Sequence, residues 1–388
     1  MASMDYSTID PVPVVDLAPF HQKGAEGKRA VASQLDAACR SLGFLQVVGH
    51  GIPWSTCENV LDEWAKFFDL PMAEKMQWVV PDESANRGYS WPGKEALAYS
   101  RGEQSPPDLM EAFNVGRREQ NGPYYERHAA FYAPTVWPSQ PHGLREAWER
   151  YDLAVSSVVD TVLRAMALAL DLPEDWFTKR CIHAIETTRA INYTRYPSTT
   201  NPEPGQMRMG AHSDYGIVTV LLADDVPGLQ IFRANKWHDI RTPRGTLTLN
   251  IGDMLALWTN DRWKSTLHRV TPPPPAVDGL VRRRSIARFL DCEPDQVIEC
   301  IPSCCGPENP PKYEPVMAGE WLLAKILHGR RPPSADPLLP SSPPECPLLP
   351  GTITAVERQG TGHWPDDCWW TARTPAARIS GLLAAVRE

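Results

Sequence analysis

The run GAHSDYGIVTVL, from Gly210 to Leu221, sets a histidine and an aspartate two positions apart, just ahead of β-branched residues. On a strand, residues i and i+2 project from one face. If a strand begins here, His212 and Asp214 reach one common point. That pairing alone arises readily by chance in a chain with ten histidines. A third residue gives it weight. His268 stands in TNDRWKSTLHRV and also opens a short β-branched run. Two imidazoles and one carboxylate on neighbouring strands can occupy one face of an octahedral ion. Three positions then stay open, which suits non-haem Fe(II), because they admit a co-substrate and O₂. Zinc is the rival ion, with three protein ligands around a tetrahedral water.

A redox metal needs an electron source. RRRSIARF, residues 282–289, follows His268 closely. Arg283 and Ser285 are two apart and would face one way on a strand. Arginine grips a carboxylate through two parallel charge-assisted hydrogen bonds, and a serine hydroxyl can add a third. The pair would anchor the distal carboxylate of a 2-oxo diacid whose other end chelates the metal. The competing reading is a solvated basic cluster, because Arg282, Arg283, Arg284 and Arg288 crowd together.

The elements that must hold these residues change character along the chain. PVPVVDL, residues 11–17, reads as a strand, and residues 27–42 as an amphipathic helix through Val31, Leu35, Ala38 and Leu42. GFLQVVGHGI (43–52) reads as a strand with a turn. TCENVLDEWAKFFDLP (56–71) reads as a helix stopped by Pro71, and a long helix covers roughly 143–171. From about Thr187, short β-rich runs alternate with Gly, Pro, Asn and Asp, a spacing that suggests a sandwich or barrel of the jelly-roll kind. The fold class expected is mainly β with flanking helices. RPPSADPLLPSSPPECPLLP, residues 331–350, is a proline-rich linker. The division expected is an N-terminal region over 8–135, a helix and β-core over 136–325, a linker over 326–350 and a tail over 351–388.

Composition narrows the function classes. The chain has 388 residues, 42% of them apolar, and a formal charge of −8 without a basic block. That disfavours nucleic acid and anionic membrane surfaces as partners. No run approaches the apolar length of a membrane span, and MASMDYSTIDPVPVVDL lacks the basic and apolar regions of a signal peptide. Nine scattered cysteines fit a reducing cytoplasm. Cys300, Cys304 and Cys305 cluster without a fourth ligand type nearby, so they read as plain thiols. His50 in GHGI reads as a structural hydrogen-bonding residue, His238 as surface or strand edge, and His183 as a histidine without a partner pattern. A small-molecule partner and a monomer are expected.

In order, HSD, TLHRV and R-x-S resemble the iron- and 2-oxoglutarate-dependent dioxygenases of the isopenicillin N synthase-like group. PVVDL, GFLQVVGHGI, FFDLPMAEK, GYSWPGKE and DLMEAFNVG resemble its N-terminal region. GQMRMGAHSDYGIVTVLL, GLQIF, NIGDMLALWTNDRWKSTLHRV and ENPPKYEPVMAGEWLLAKIL resemble its bacterial members. The resemblance covers about 11–325. It implies a double-stranded β-helix core, with Fe(II), 2-oxoglutarate and O₂. His212, Asp214 and His268 match the family's metal ligands. Arg283 and Ser285 match its 2-oxoglutarate anchor. Tyr196 matches a tyrosine that bonds 2-oxoglutarate, with Tyr193 as the competing register. Asn250 matches a residue close to the metal, and Arg208 carries no assignable role. The implied reaction hydroxylates, desaturates or cyclises a small molecule, releasing succinate and CO₂. An oxidase that dispenses with 2-oxoglutarate and a non-catalytic binding protein are the alternatives. Where the family carries a proline and two aromatics after R-x-S, this chain has Ala287, Arg288 and Phe289. The Arg288 guanidinium is expected to point outward; the alternative sends it into the pocket toward an acidic substrate group.

Overall fold

The computed structural model describes residues 12–330, apart from 83–84, 104, 119–120, 194–202 and 273–281. The helices are α1 (Ala18–Gln22), α2 (Gly24–Ser41), α3 (Trp54–Phe68), α4 (Met72–Lys75), α5 (Pro123–Arg127), α6 (Leu144–Ala169), α7 (Asp253–Trp258) and α8 (Ala318–Arg330). The strands are β1 (Val14–Asp16), β2 (Phe44–Val48), β3 (Gly88–Ser90), β4 (Met110–Gly116), β5 (Glu186–Tyr193), β6 (Met209–His212) and β7 (Val218–Ala223). They continue with β8 (Leu229–Arg233), β9 (Lys236–Asp239), β10 (Leu247–Ile251), β11 (His268–Val270), β12 (Arg283–Leu290), β13 (Val297–Ile298) and β14 (Val316–Met317).

Punctuation in the sequence sets several of these bounds. Proline cannot continue a helix from within, so Pro53 caps α3 and Pro71 follows its end. α6 contains neither glycine nor proline, and Tyr151, Val155, Val158 and Val162 line its buried side. It stops where Asp171 turns into the left-handed region, φ 58°.

Two sheets face each other. The larger has eight strands in the order β1-β2-β10-β7-β12-β5-β4-β3, and the smaller has four, β6-β11-β8-β9. This is the distorted jelly roll expected from the strand spacing. The N-terminal strands take up both edges of the large sheet, β1 and β2 on one side, β3 and β4 on the other. The division drawn at residue 135 therefore falls within a single sheet. α8 runs to Arg330, so residues 326–330 are helical rather than linker. Residues 331–388 lie outside the described residues.

The outer face of the large sheet is covered by α2, α3 and α6. Val31, Leu35, Val60, Trp64, Tyr151 and Val155 from these helices share one buried cluster with Val220, Leu222, Leu249 and Ile286 from the sheet.

Strand β12 shows how alternation sorts its side chains. Ile286 and Leu290 join the helix-side cluster. Arg283, Ala287, Phe289 and Asp291 line a hollow on the other face. Arg288 has the parity of Ile286 and goes with it. It reaches neither solvent nor the pocket. It is 4% exposed, and its Nη1 donates to Asp152 Oδ1 at 2.5 Å while Nη2 donates to Glu186 Oε2 at 2.6 Å. The outward expectation fails because α6 roofs this face and supplies Asp152. Burial disfavours the charged guanidinium, but the two carboxylates outweigh burial and raise its pKa. Arg288→Ala leaves two carboxylates facing each other without their cation. It is expected to lower stability by about 3–5 kcal/mol, read by urea unfolding. A change under about 1 kcal/mol would remove this ion pair from the supports of the fold.

Candidate active site

Strand pairing brings together ligands that are distant in sequence. His212 ends β6 and His268 opens β11, and the two stand opposite each other in register. Asp214 lies just past β6, in the loop leading to β7, so the shared strand face expected for His212 and Asp214 does not exist. The loop aims Asp214 instead. Asp253 N donates to the Asp214 carbonyl at 2.7 Å and Met254 N to that of Tyr215 at 3.0 Å, pinning the loop to the start of α7. The result is one cluster in which all three ligand atoms lie within 4.8 Å of one another. Each imidazole Nε2 is 3.8 Å from Asp214 Oδ1.

The donor set fits a divalent metal. His212 Nδ1 faces the Gly210 carbonyl at 2.8 Å and His268 Nδ1 faces that of Thr266 at 3.1 Å. A carbonyl only accepts, so each Nδ1 carries the proton and each Nε2 offers a lone pair. Burial, then the neighbouring His268, lowers the His212 pKa to about 4, against a smaller pull from Asp214. The imidazole is neutral, as a ligand must be. Burial opposes the charge on Asp214, yet the two imidazoles and two hydrogen bonds outweigh it and hold the carboxyl below its usual range. Those bonds come to Oδ2 from Thr219 Oγ1 at 2.5 Å and Asn250 Nδ2 at 2.6 Å. Asn250 thus reaches the site by holding Asp214. Oδ1 is left for an ion.

The hollow beside this cluster has a volume of about 300 Å³ and is walled by both sheets. Arg283 lines it and is 1% exposed; Ser285 is equally buried. Among the described residues, Arg283 Nε and Nη1 and Ser285 Oγ have no hydrogen-bond partner. These residues are not a solvated basic cluster. Buried donors without partners are costly, and a bound carboxylate would satisfy all three. Tyr193 sits opposite Arg283 in the β5–β12 register, its ring 4.8 Å from the guanidinium carbon. Tyr196 lies outside the described residues. Arg208 is fully buried just ahead of β6.

Farther along the hollow the wall is polar on one side. Arg189 Nη2 donates to both oxygens of Glu95, at 2.7 and 2.8 Å. Among the described residues Arg87 donates to neutral oxygens, the carbonyls of Ala133 and Asn86 and the Thr187 hydroxyl. Burial lowers its pKa to about 10. Opposite lies an apolar roof of Phe131, Leu322, Leu323 and Ile326. Lys325 Nζ ties the roof helix to Asp253 Oδ2 at 3.1 Å. None of these wall and roof residues was singled out from the sequence. No tryptophan lines the hollow among the described residues, and Trp258 and Trp263 are core.

The other histidines divide. His50 Nδ1 accepts from Ile52 N at 3.2 Å and its Nε2 faces the Gly245 carbonyl, a structural role as expected. His183 does have partners, which sequence reading missed: Glu293 Oε1 at 3.0 Å and the stacked ring of Tyr124.

Comparison with known proteins places this geometry. Residues 185–291 match the model of the 2OG-Fe(II) oxygenase superfamily, and residues 12–140 match that of the non-haem dioxygenase in morphine synthesis N-terminal region. The chain is 32% identical to the 2-oxoglutarate-Fe(II) type oxidoreductase hxnY of Emericella nidulans, over 82% of this chain and 90% of that protein. It is 30% identical to validamycin A dioxygenase of Streptomyces hygroscopicus subsp. limoneus, over 81% and 86%. Among solved structures, a full-length Neurospora crassa protein in complex with alpha-KG superposes with a TM-score of 0.73 at 29% identity, covering 84% of this chain and all of that one. The protein belongs to the 2OG-Fe(II) oxygenase superfamily and is an iron- and 2-oxoglutarate-dependent oxidoreductase.

Proposed function

We propose that the chain oxidises a small polar molecule in the hollow between its sheets, with His212, Asp214 and His268 as metal ligands and Arg283 and Ser285 as the 2-oxoglutarate anchor. The observation that carries this reading is the set of orphaned donors on Arg283 and Ser285 beside the buried His–Asp–His cluster. When bound, iron and 2-oxoglutarate supply the activation of O₂, with succinate and CO₂ as co-products.

The chain's own residues do the rest. His212 and His268 present bare Nε2 atoms held by their backbone contacts. Asn250 and Thr219 keep Asp214 charged and fix its rotamer. The Tyr193 ring sets the plane of the Arg283 guanidinium, which makes Tyr193 the tyrosine we favour over Tyr196 for orienting the co-substrate end. Phe131, Leu322, Leu323 and Ile326 keep bulk water from the reacting centre. The complexes of the N. crassa protein hold thymine or 5-formyluracil with alpha-KG, which supports a small polar substrate here. Hydroxylation is the outcome we favour over desaturation or cyclisation. We further assign the chain to the isopenicillin N synthase-like group and to specialised metabolism, acting as a cytoplasmic monomer. The seven described cysteines are all free thiols, which supports a reducing compartment. Among the described residues no helix is long and apolar enough to cross a membrane.

The test is anaerobic. Adding Fe(II) and then 2-oxoglutarate to apoprotein should raise a weak charge-transfer band in the visible. Bound iron without that band would favour an oxidase that needs no 2-oxoglutarate. Asn250→Ala frees one side of Asp214 and is expected to weaken iron binding about 10–100-fold, measured by competition with a chelator. Unchanged affinity would show that Thr219 alone suffices.

A further inference from the structure

Asp291 directly follows the last residue of β12, continues the row of its pocket face and lines the hollow. It is 5% exposed. Its Oδ1 is buried without a partner, and no described side chain forms an ion pair with it. Its backbone N–H is committed to the Ile185 carbonyl at 3.0 Å, which fixes the residue but leaves the carboxyl unused. Gly216 makes room for that carboxyl. A Cβ there would stand 2.3 Å from Asp291 Oδ1. Burial, with a smaller contribution from Asp214, raises the Asp291 pKa to about 7.

A buried carboxyl without any partner is a cost to the fold. Other carboxylates around the hollow are occupied: Glu95 by Arg189 and Ser90, Asp214 by Thr219 and Asn250. Asp82, which also lines the hollow, is engaged as well. Asp291 alone among these is held ready with nothing to hold.

We propose that Asp291 is the substrate-recognising carboxyl of the pocket and takes a cationic nitrogen, an amidinium or ammonium group, of the substrate. A cation would supply the missing hydrogen bonds and cancel the isolated charge. The apolar roof of Phe131, Leu322, Leu323 and Ile326 would cover the substrate's carbon skeleton. This inference rests on the proposed function of the same pocket.

The test titrates three matched probes calorimetrically into the full-length protein at about pH 8, above the raised pKa of about 7. The probes are benzamidine (cationic), benzyl alcohol (neutral) and benzoate (anionic). Titrations run anaerobically with and without Fe(II) and 2-oxoglutarate. Benzamidine is expected to bind about tenfold tighter than benzyl alcohol, and Asp291→Asn is expected to erase that preference. Asp291→Asn should also raise the Tm of the ligand-free protein by about 2–4 °C, because it removes an uncompensated buried charge. A lower Tm would mark Asp291 as structural and overturn the proposal. So would benzamidine binding no tighter than benzyl alcohol, a preference that survives Asp291→Asn, or tightest binding of benzoate to the protein already loaded with 2-oxoglutarate, where the Arg283 anchor is filled and recognition would move to Arg87. The visible band of the loaded protein reports separately on the oxygenase reading. A band without a benzamidine preference sinks only the role of Asp291. A preference without a band sinks only the oxygenase reading.

Discussion

Asp214→Ala is expected to cut turnover at least about a thousandfold and to abolish the anaerobic charge-transfer band. The carboxylate is the only anion among the three ligand residues. Without it, two neutral imidazoles face a dication, and Thr219 and Asn250 lose the oxygen they hold. Loss of a metal's contribution of several kcal/mol corresponds to about three powers of ten. Circular dichroism should remain native, because the loop stays pinned through the backbone carbonyl of residue 214 and that of Tyr215. Succinate formation at more than about a tenth of the wild-type rate would take Asp214 out of the ligand set.

Arg283→Ala should act on the co-substrate. Its buried Nε and Nη1 have no partner among the described residues, so a bound 2-oxoglutarate carboxylate would be their acceptor and counterion. Breaking a buried charge pair costs about 2–4 kcal/mol, which raises the KM for 2-oxoglutarate about 30- to 1,000-fold. Iron binding should persist, since Arg283 belongs to the anchor end of the hollow and not to the ligand cluster. Arg283→Lys keeps the charge but loses the planar fork and should fall between the two. An unchanged KM in the alanine variant would mean that the distal carboxylate is anchored elsewhere.

Much of the site was legible in the sequence because it consists of short-range spacings. His212, Asp214 and His268 converge as the H-x-D and the later histidine suggest. A shared strand face is not what brings them together. Asp214 is placed by a loop locked to α7, and backbone hydrogen bonds between distant segments leave no mark in a spacing rule. Arg283 and Ser285 share a face because β12 is a regular strand. The same alternation applied three steps further would have found Asp291, and applied to Arg288 would have turned it away from the pocket. What alternation could not reveal is that α6 covers the opposite face with Asp152, so Arg288 is buried in an ion pair rather than solvated. No motif marks the roof residues Leu322, Leu323 and Ile326. Their role depends on where α8 lands, which is a tertiary fact. That Tyr193 stands opposite Arg283 is likewise a matter of strand register, which residue spacing does not show.

The single-file order of β12 also bears on how such a chain can change over generations. Its pocket face carries in sequence the Arg283 end, Ala287, Phe289 and Asp291, while its back face carries Ile286, Arg288 and Leu290. Inserting or deleting one residue inside the strand would exchange the two rows beyond that point, driving Arg288 into the hollow and Asp291 into the helices. Divergence along β12 is therefore confined to substitution. If Arg283 anchors the co-substrate as proposed, its end of the strand answers a demand common to every turnover, whereas positions 287, 289 and 291 can be exchanged one at a time. A lineage could thus acquire a new diet by point mutation at one end of a strand while inheriting the other end intact.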